Sequence, residues 1–137
     1  MANTVPFKLI TPTSIAFQGD AELVIAVTTE GEEGVLPKHA PFLGALKPGV
    51  LRANVIADGV AKRLELATGE GFIQALPDGV TVLVDRALRF DDVDVTAAHA
   101  ELADAAARQK EAPDAAAFAR EQSTIDFANA KLRLTGH

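Results

Sequence analysis

The chain changes character at Asp91, and that break limits its possible folds more than any other feature. Nine of its ten glycines and six of its seven prolines come before Asp91, while residues 91–137 hold fourteen alanines against twelve in the first ninety. Glycine reaches positive φ, and proline fixes φ and lacks a donor, so both punctuate turns. Alanine is the strongest helix former. Strands and turns are therefore expected first, and helices after.

The strand signals are closely spaced. Phe7–Thr11 and Glu22–Val27 are short apolar-rich runs. Val50–Ile56 and Ala61–Leu66 flank Asp58-Gly59, the strongest short-range hairpin signal in the chain. Gly71–Leu76 and Val80–Val84 flank the turn residues Pro77-Asp78-Gly79. Many short strands at regular spacing, none alternating with a long helical pattern, predict a sandwich or barrel rather than a parallel βαβ sheet.

After the break, Asp91 and Asp92 are expected to cap a first helix running to about Lys110, with Asp94 near its positive end and Arg108 and Lys110 at its negative end. Pro113 ends that pattern and suits the first turn of a second helix. On helix two Phe118, Ile125 and Leu132 share one face, while Phe127 and Leu134 fall nearly opposite. One edge can bury against the small surface of Ala98, Leu102, Ala105 and Ala106, which leaves an apolar edge to pack elsewhere.

Catalytic chemistry is hard to find. Without cysteine there is no disulfide or thiol nucleophile. His39, His99 and His137 have no metal-ligand spacing, and Ser14 and Ser123 have no base nearby in sequence. Gly69-Glu70-Gly71 is read as a turn, and Asp91, Asp92 and Asp94 as capping residues rather than a calcium loop. The net charge of −6 disfavours nucleic acid. The first residues lack the basic and apolar regions of a signal peptide, and no run approaches the ~18 apolar residues of a membrane helix. What remains is Glu30–Pro41, a segment stiffened by Pro37 and Pro41 that displays Glu32, Glu33, Lys38 and His39. It reads as a rigid docking loop. Two other readings compete with docking: a stand-alone small-molecule module that senses a nucleotide, and a small hydrolase using Glu32 and His39 as an acid–base pair.

Thr29-Glu30-Gly31-Glu32-Glu33-Gly34-Val35-Leu36-Pro37-Lys38-His39-Ala40-Pro41, followed by Leu46-Lys47-Pro48-Gly49, resembles the signature of the epsilon subunit of the F-type ATP synthase. Phe17-Gln18-Gly19, Gly71-Phe72 and Val80–Ala87 extend the resemblance along nearly the whole chain. It implies an N-terminal antiparallel β-sandwich over residues 1–88 and a C-terminal antiparallel two-helix hairpin over 89–137. It implies a non-catalytic rotor subunit that packs on the gamma subunit and the c-ring and carries ion-driven rotation toward ATP synthesis. Such a protein is peripheral to the membrane through its complex, on the cytoplasmic face of a bacterial inner membrane or the stromal face of a thylakoid. Glu32 and His39 match the c-ring contact region. The hairpin is implied to switch between a position against the sandwich and an extended one that inhibits ATP hydrolysis at the alpha/beta head. Arg120, Lys131 and Arg133 are the helix-two cations available for an acidic beta-subunit surface.

The hairpin departs from the family in two ways. Of the family's ATP-binding positions Asp94 and Arg133 are present, but Ala97, Asp104 and Asn129 stand where arginines are expected. A phosphate chain needs those cations, so no resident cofactor is expected and any ATP binding should be weak. Residues 91–137 also carry five cations against nine anions, which predicts weaker inhibition, or inhibition set more by apolar contacts.

Overall fold

The computed structural model describes residues 3–136; Met1, Ala2 and His137 lie outside the described residues. Nine strands come first: β1 (Val5–Thr11), β2 (Ser14–Thr28), β3 (Gly31–Val35), β4 (Phe42–Leu46), β5 (Gly49–Ala57), β6 (Val60–Thr68), β7 (Gly71–Leu76), β8 (Gly79–Val84) and β9 (Ala87–Leu88). A single 3-10 turn, Phe90–Asp92, leads to helices α1 (Val95–Lys110) and α2 (Ala115–Thr135).

Turn chemistry explains the order of the strands. Asp58 and Gly59 adopt φ of 53° and 75°, the pair of positive angles that a two-residue hairpin between Ala57 and Val60 requires. Thr28 pairs with Gly31 across a second tight turn, where the Thr28 hydroxyl donates to the Gly31 carbonyl and accepts from the Glu30 amide. Pro77 and Asp78 fill the two-residue link between Leu76 and Gly79.

The 15-residue β2 joins the layers. Its first half pairs with β1 and its second half with β3, β5 and, at Thr28, with β4. A register shift between Ala21 and Leu23 marks where it passes from one layer to the other. The order β1-β8-β7-β4-β2, closed by the β1–β2 pairing, forms a ring, and β5, β6 and β9 extend from β2. Pairing is antiparallel except between β1 and β8, which run parallel. Inward residues alternate along the strands, and Phe7, Leu9, Val24, Leu51, Leu66, Ile73, Val82 and Val84 fill one core.

Several elements differ from the sequence reading. The Glu30–Pro41 docking loop is in large part strand: Gly31–Val35 pairs along β2. Glycines and adjacent glutamates hide a strand from propensity, but an edge position accepts charge. β4 lies between prolines that mask its apolar run, and β2 is far longer than Glu22–Val27 because Gly19 and Asp20 break the apolar pattern without breaking the ladder. Asp94, not Asp91 or Asp92, caps α1, its carboxylate accepting from the Ala97 amide at 3.0 Å. Asp92 instead accepts from the Arg89 amide. Asp114 caps α2, so Pro113 precedes the helix rather than opening it.

The hairpin lies on β5 and β6. Phe127 and Ala130, with Leu134 beside them, pack against Val50, Ala67 and Leu88. The spare edge expected from Phe127 and Leu134 is therefore the docking edge.

Gly71 sits where a Cβ would fall 1.8 Å from the Leu83 carbonyl oxygen. Gly71→Ala should destabilise the sandwich by about 2–3 kcal/mol in urea unfolding, because backbone cannot yield as a side chain can. Asp94→Ala should cost about 1 kcal/mol and accelerate hydrogen exchange in the first turn of α1, leaving the strands protected.

Candidate functional site

β3 and the turn after it place Glu32 and His39. Edge position leaves Glu32 exposed, and its carboxylate accepts from Arg52 Nη2 of β5 at 2.9 Å. The Glu32 side chain is 58% exposed, so the pair orients the carboxylate more than it stabilises the fold. Leu36-Pro37-Lys38-His39 forms a turn in which Lys38 takes φ 66°, a left-handed angle unusual for lysine. His39 braces it. Its Nδ1–H donates to the Leu36 carbonyl at 2.7 Å, and since a carbonyl only accepts, the proton sits on Nδ1. Nε2 is shut from solvent without a partner among the described residues. His39 thus spends its hydrogen bond inside the turn and presents Leu36, which is 60% exposed. Glu32 and His39 share the segment without touching, which removes the geometric basis for an acid–base pair.

The hairpin cations have different surroundings. Arg120 is exposed near the helix–helix link, in a cleft with Arg108, Glu111 and Glu121. Lys131 is buried: Nζ donates to Glu101 of α1 at 2.7 Å and lies 5.1 Å from the centre of the Phe127 ring. Arg133 lies at the seam between α2 and the sandwich, where two small cavities also bring together Glu32, Lys47, Arg52, Glu65 and Asp126. Charges of both signs meet there, Lys47, Arg52 and Arg133 standing among the carboxylates of Glu32, Glu65 and Asp126. Asp94 is occupied as a helix cap. Among the described residues no cluster of three His, Cys, Asp or Glu could hold a metal.

The helices hold each other partly by polar bonds. Arg108 Nε donates to Glu121 at 2.8 Å and Gln109 Nε2 donates to the Gln122 side chain at 2.8 Å. The hydrogen bond to the Glu121 carboxylate raises the Arg108 pKa above its ordinary value. α1 buries only Ala98 and Ala105.

Sequence reasoning missed a row of apolar side chains on the outer face of the strands. Ala45 of β4, Phe72 of β7, Leu83 of β8 and Ile10 of β1 are successive cross-strand neighbours. Phe72 is 56% and Leu83 48% exposed, and Leu43 beside them is 72% exposed. Ile73, Ala75, Val82 and Val84 alternate with them into the core. The available signal was that Gly71–Leu76 and Val80–Val84 are apolar on both faces, so one face had to remain outside. Which one depends on register, which sequence does not give.

Comparison with known proteins gives a consistent result. A family model described as the beta-sandwich domain of the ATP synthase delta/epsilon chain matches residues 4–90. The ATP synthase epsilon chain of Chromobacterium violaceum is 37% identical over 124 residues, covering 90% of this chain and 79% of that one. The epsilon chain of Syntrophobacter fumaroxidans is 35% identical over 134 residues, covering 98% and 97%. Among solved structures, a chain of the Euglena gracilis mitochondrial ATP synthase (OSCP/F1/c-ring, rotational state 1) shares the fold at TM-score 0.80 and 21% identity, covering 98% of this chain and 82% of that one. A chain of the Tetrahymena thermophila mitochondrial ATP synthase central stalk and c-ring does so at 0.62 and 17%, covering 96% of each. The match across the sandwich, with relatives aligned over strands and hairpin alike, makes this chain a member of the ATP synthase epsilon-chain family.

Proposed function

We propose that this epsilon chain is a non-catalytic rotor subunit of the central stalk, and that its sandwich, residues 1–88, and hairpin, residues 89–137, divide the work. The sandwich packs on the gamma subunit and the c-ring and passes ion-driven rotation toward ATP synthesis. The hairpin restrains ATP hydrolysis by contacting the alpha/beta head through Arg120, Lys131 and Arg133. No helix among the described residues is long and apolar enough to cross a membrane. Attachment through the complex, at the cytoplasmic face of a bacterial inner membrane, accounts for the membrane association of the assembly.

The observation that carries this reading is the row Ala45, Phe72, Leu83 and Ile10. Exposed large apolar side chains in a contiguous patch mark an interaction surface. The hairpin covers β5 and β6 and leaves this row bare, so we assign it to gamma. The ring contact falls to the braced turn at Leu36–His39 and to Glu32. A joint that carries torque must not deform: His39 braces the turn through the Leu36 carbonyl, and Arg52 holds the Glu32 carboxylate in orientation.

Phe72→Glu should lower affinity for purified gamma about 30-fold, the effect of losing a central apolar anchor worth about 2 kcal/mol, with an unchanged circular dichroism spectrum. Unchanged affinity would remove this face from the gamma contact. Deleting residues 89–137 should raise ATP hydrolysis by the assembled enzyme several-fold. No rise would sink the inhibitory role, and loss of proton-coupled synthesis would contradict a purely regulatory hairpin.

A further inference from the structure

The outer face of β4, β7, β8, β1 and β2 carries two parallel rows of side chains with different chemistry. The apolar row runs on past Ile10 to the exposed Ile15, its neighbour on β2. Displaced by two residues along β4, β7, β8 and β1 lies a second row, Leu43, Gln74, Thr81, Lys8 and Gln18, again successive cross-strand neighbours. At about 3.4 Å per residue, the two rows stand about 7 Å apart. Lys8, half-buried, is the one cation of the second row. Its neighbours Gln18 and Thr81 are neutral. Asp20, two residues from Gln18 on the same face, makes no ion pair with it, nor does any other carboxylate among the described residues. Beside Lys8 the sheet is hollowed into a recess of about 340 Å³, rimmed by Pro6, Gln18, Asp20, Gly79 and Thr81. Gly79 keeps it open: a Cβ there would meet only the Pro6 carbonyl oxygen, at 3.9 Å.

In the free chain Lys8 can lay its stem on the sheet and keep its ammonium in water. A partner seated on the apolar row changes that. A standard interface covers about 800 Å² on each side, a disc about 16 Å in radius, so a partner centred on the row also covers a residue about 7 Å away. An ammonium stripped of water without a partner is costly. We propose that gamma answers Lys8 with a carboxylate, an Asp or Glu side chain set about 7 Å from its own apolar contact and seated in the recess between Gln18 and Thr81. There it meets one cation flanked by two neutral donors, the Gln18 amide and the Thr81 hydroxyl. Asp20 at the rim suits the recess to a single negative charge rather than a doubly charged phosphate. The proposal rests on the assignment of the apolar row to gamma and adds what that row lacks. Apolar contacts tolerate sliding and reversal, whereas one charge to one side of them fixes register and orientation.

Carbodiimide joins an amine to a carboxylate without a spacer, so it reports pairs in contact. In the complex of the full-length chain with purified gamma, peptide mass spectrometry should find Lys8 joined to an Asp or Glu of gamma. Lys8→Met keeps the apolar stem and should bind gamma about 10-fold more weakly. Lys8→Glu should bind about 100-fold more weakly, because like charges then face each other. Added salt should weaken binding of the parent chain more than that of Lys8→Met. A complex cross-linked through other lysines but never through Lys8 would overturn the proposal, and so would Lys8 variants that bind as the parent does. Phe72→Glu judges the underlying reading separately. If it binds poorly while both Lys8 variants bind normally, the face belongs to gamma and the carboxylate does not exist. If it too binds normally, the assignment of this face to gamma falls, and the proposal falls with it.

Discussion

The fold depends on the continuity of β2. By pairing with β1 along its first half and with β3, β4 and β5 along its second, it closes the ring of strands and carries the β5–β6 extension. Each layer would otherwise present open backbone edges, which cost free energy when buried and invite foreign strands when exposed. Val24 and Ala26 point from it into the common core and Thr28 secures its end. Everything proposed to meet a partner hangs on strands registered against β2. β3 sets Glu32, and β4 begins the apolar row that continues across β7, β8 and β1.

From that frame follows a separation of surfaces. The β5–β6 region carries the hairpin and the β4-β7-β8-β1 face stays open, so one surface is committed within the chain and the other keeps its apolar side chains in solvent. Their chemistry differs accordingly. The open face offers large side chains, Phe72, Leu83 and Leu43, which bury substantial area with little entropy loss. The hairpin interface gathers one ring, Phe127, with Val50, Leu88, Leu134 and the alanines Ala67 and Ala130.

The sequence made the architecture readable and left the surfaces largely unread. Asp58-Gly59 announced its hairpin because only positive φ closes that turn, and the alanine-rich segment announced helices. Gly31–Val35 escaped notice because its glycines and glutamates mimic a loop, and an edge strand needs no apolar run. The cap moved to Asp94 because three aspartates within four positions compete, and the backbone chose the one whose carboxylate reaches a free amide. Glu32 and His39 stood out locally as charge displayed on a stiff segment, and only the family likeness attached a partner to them. The burial of Lys131 could not be foreseen, because a long charged side chain on an amphipathic helix is normally solvated.

The pairing between the helices has a mechanical consequence. Near the turn they are joined by Arg108 to Glu121 and by Gln109 to Gln122, groups that water satisfies almost as well as each other. Nearer the root lie Ala98, Ala105 and Leu132, which water does not satisfy. The short link at the turn and the Lys131–Glu101 pair at the root therefore pin the two arms at both ends, so that they resist splaying from either.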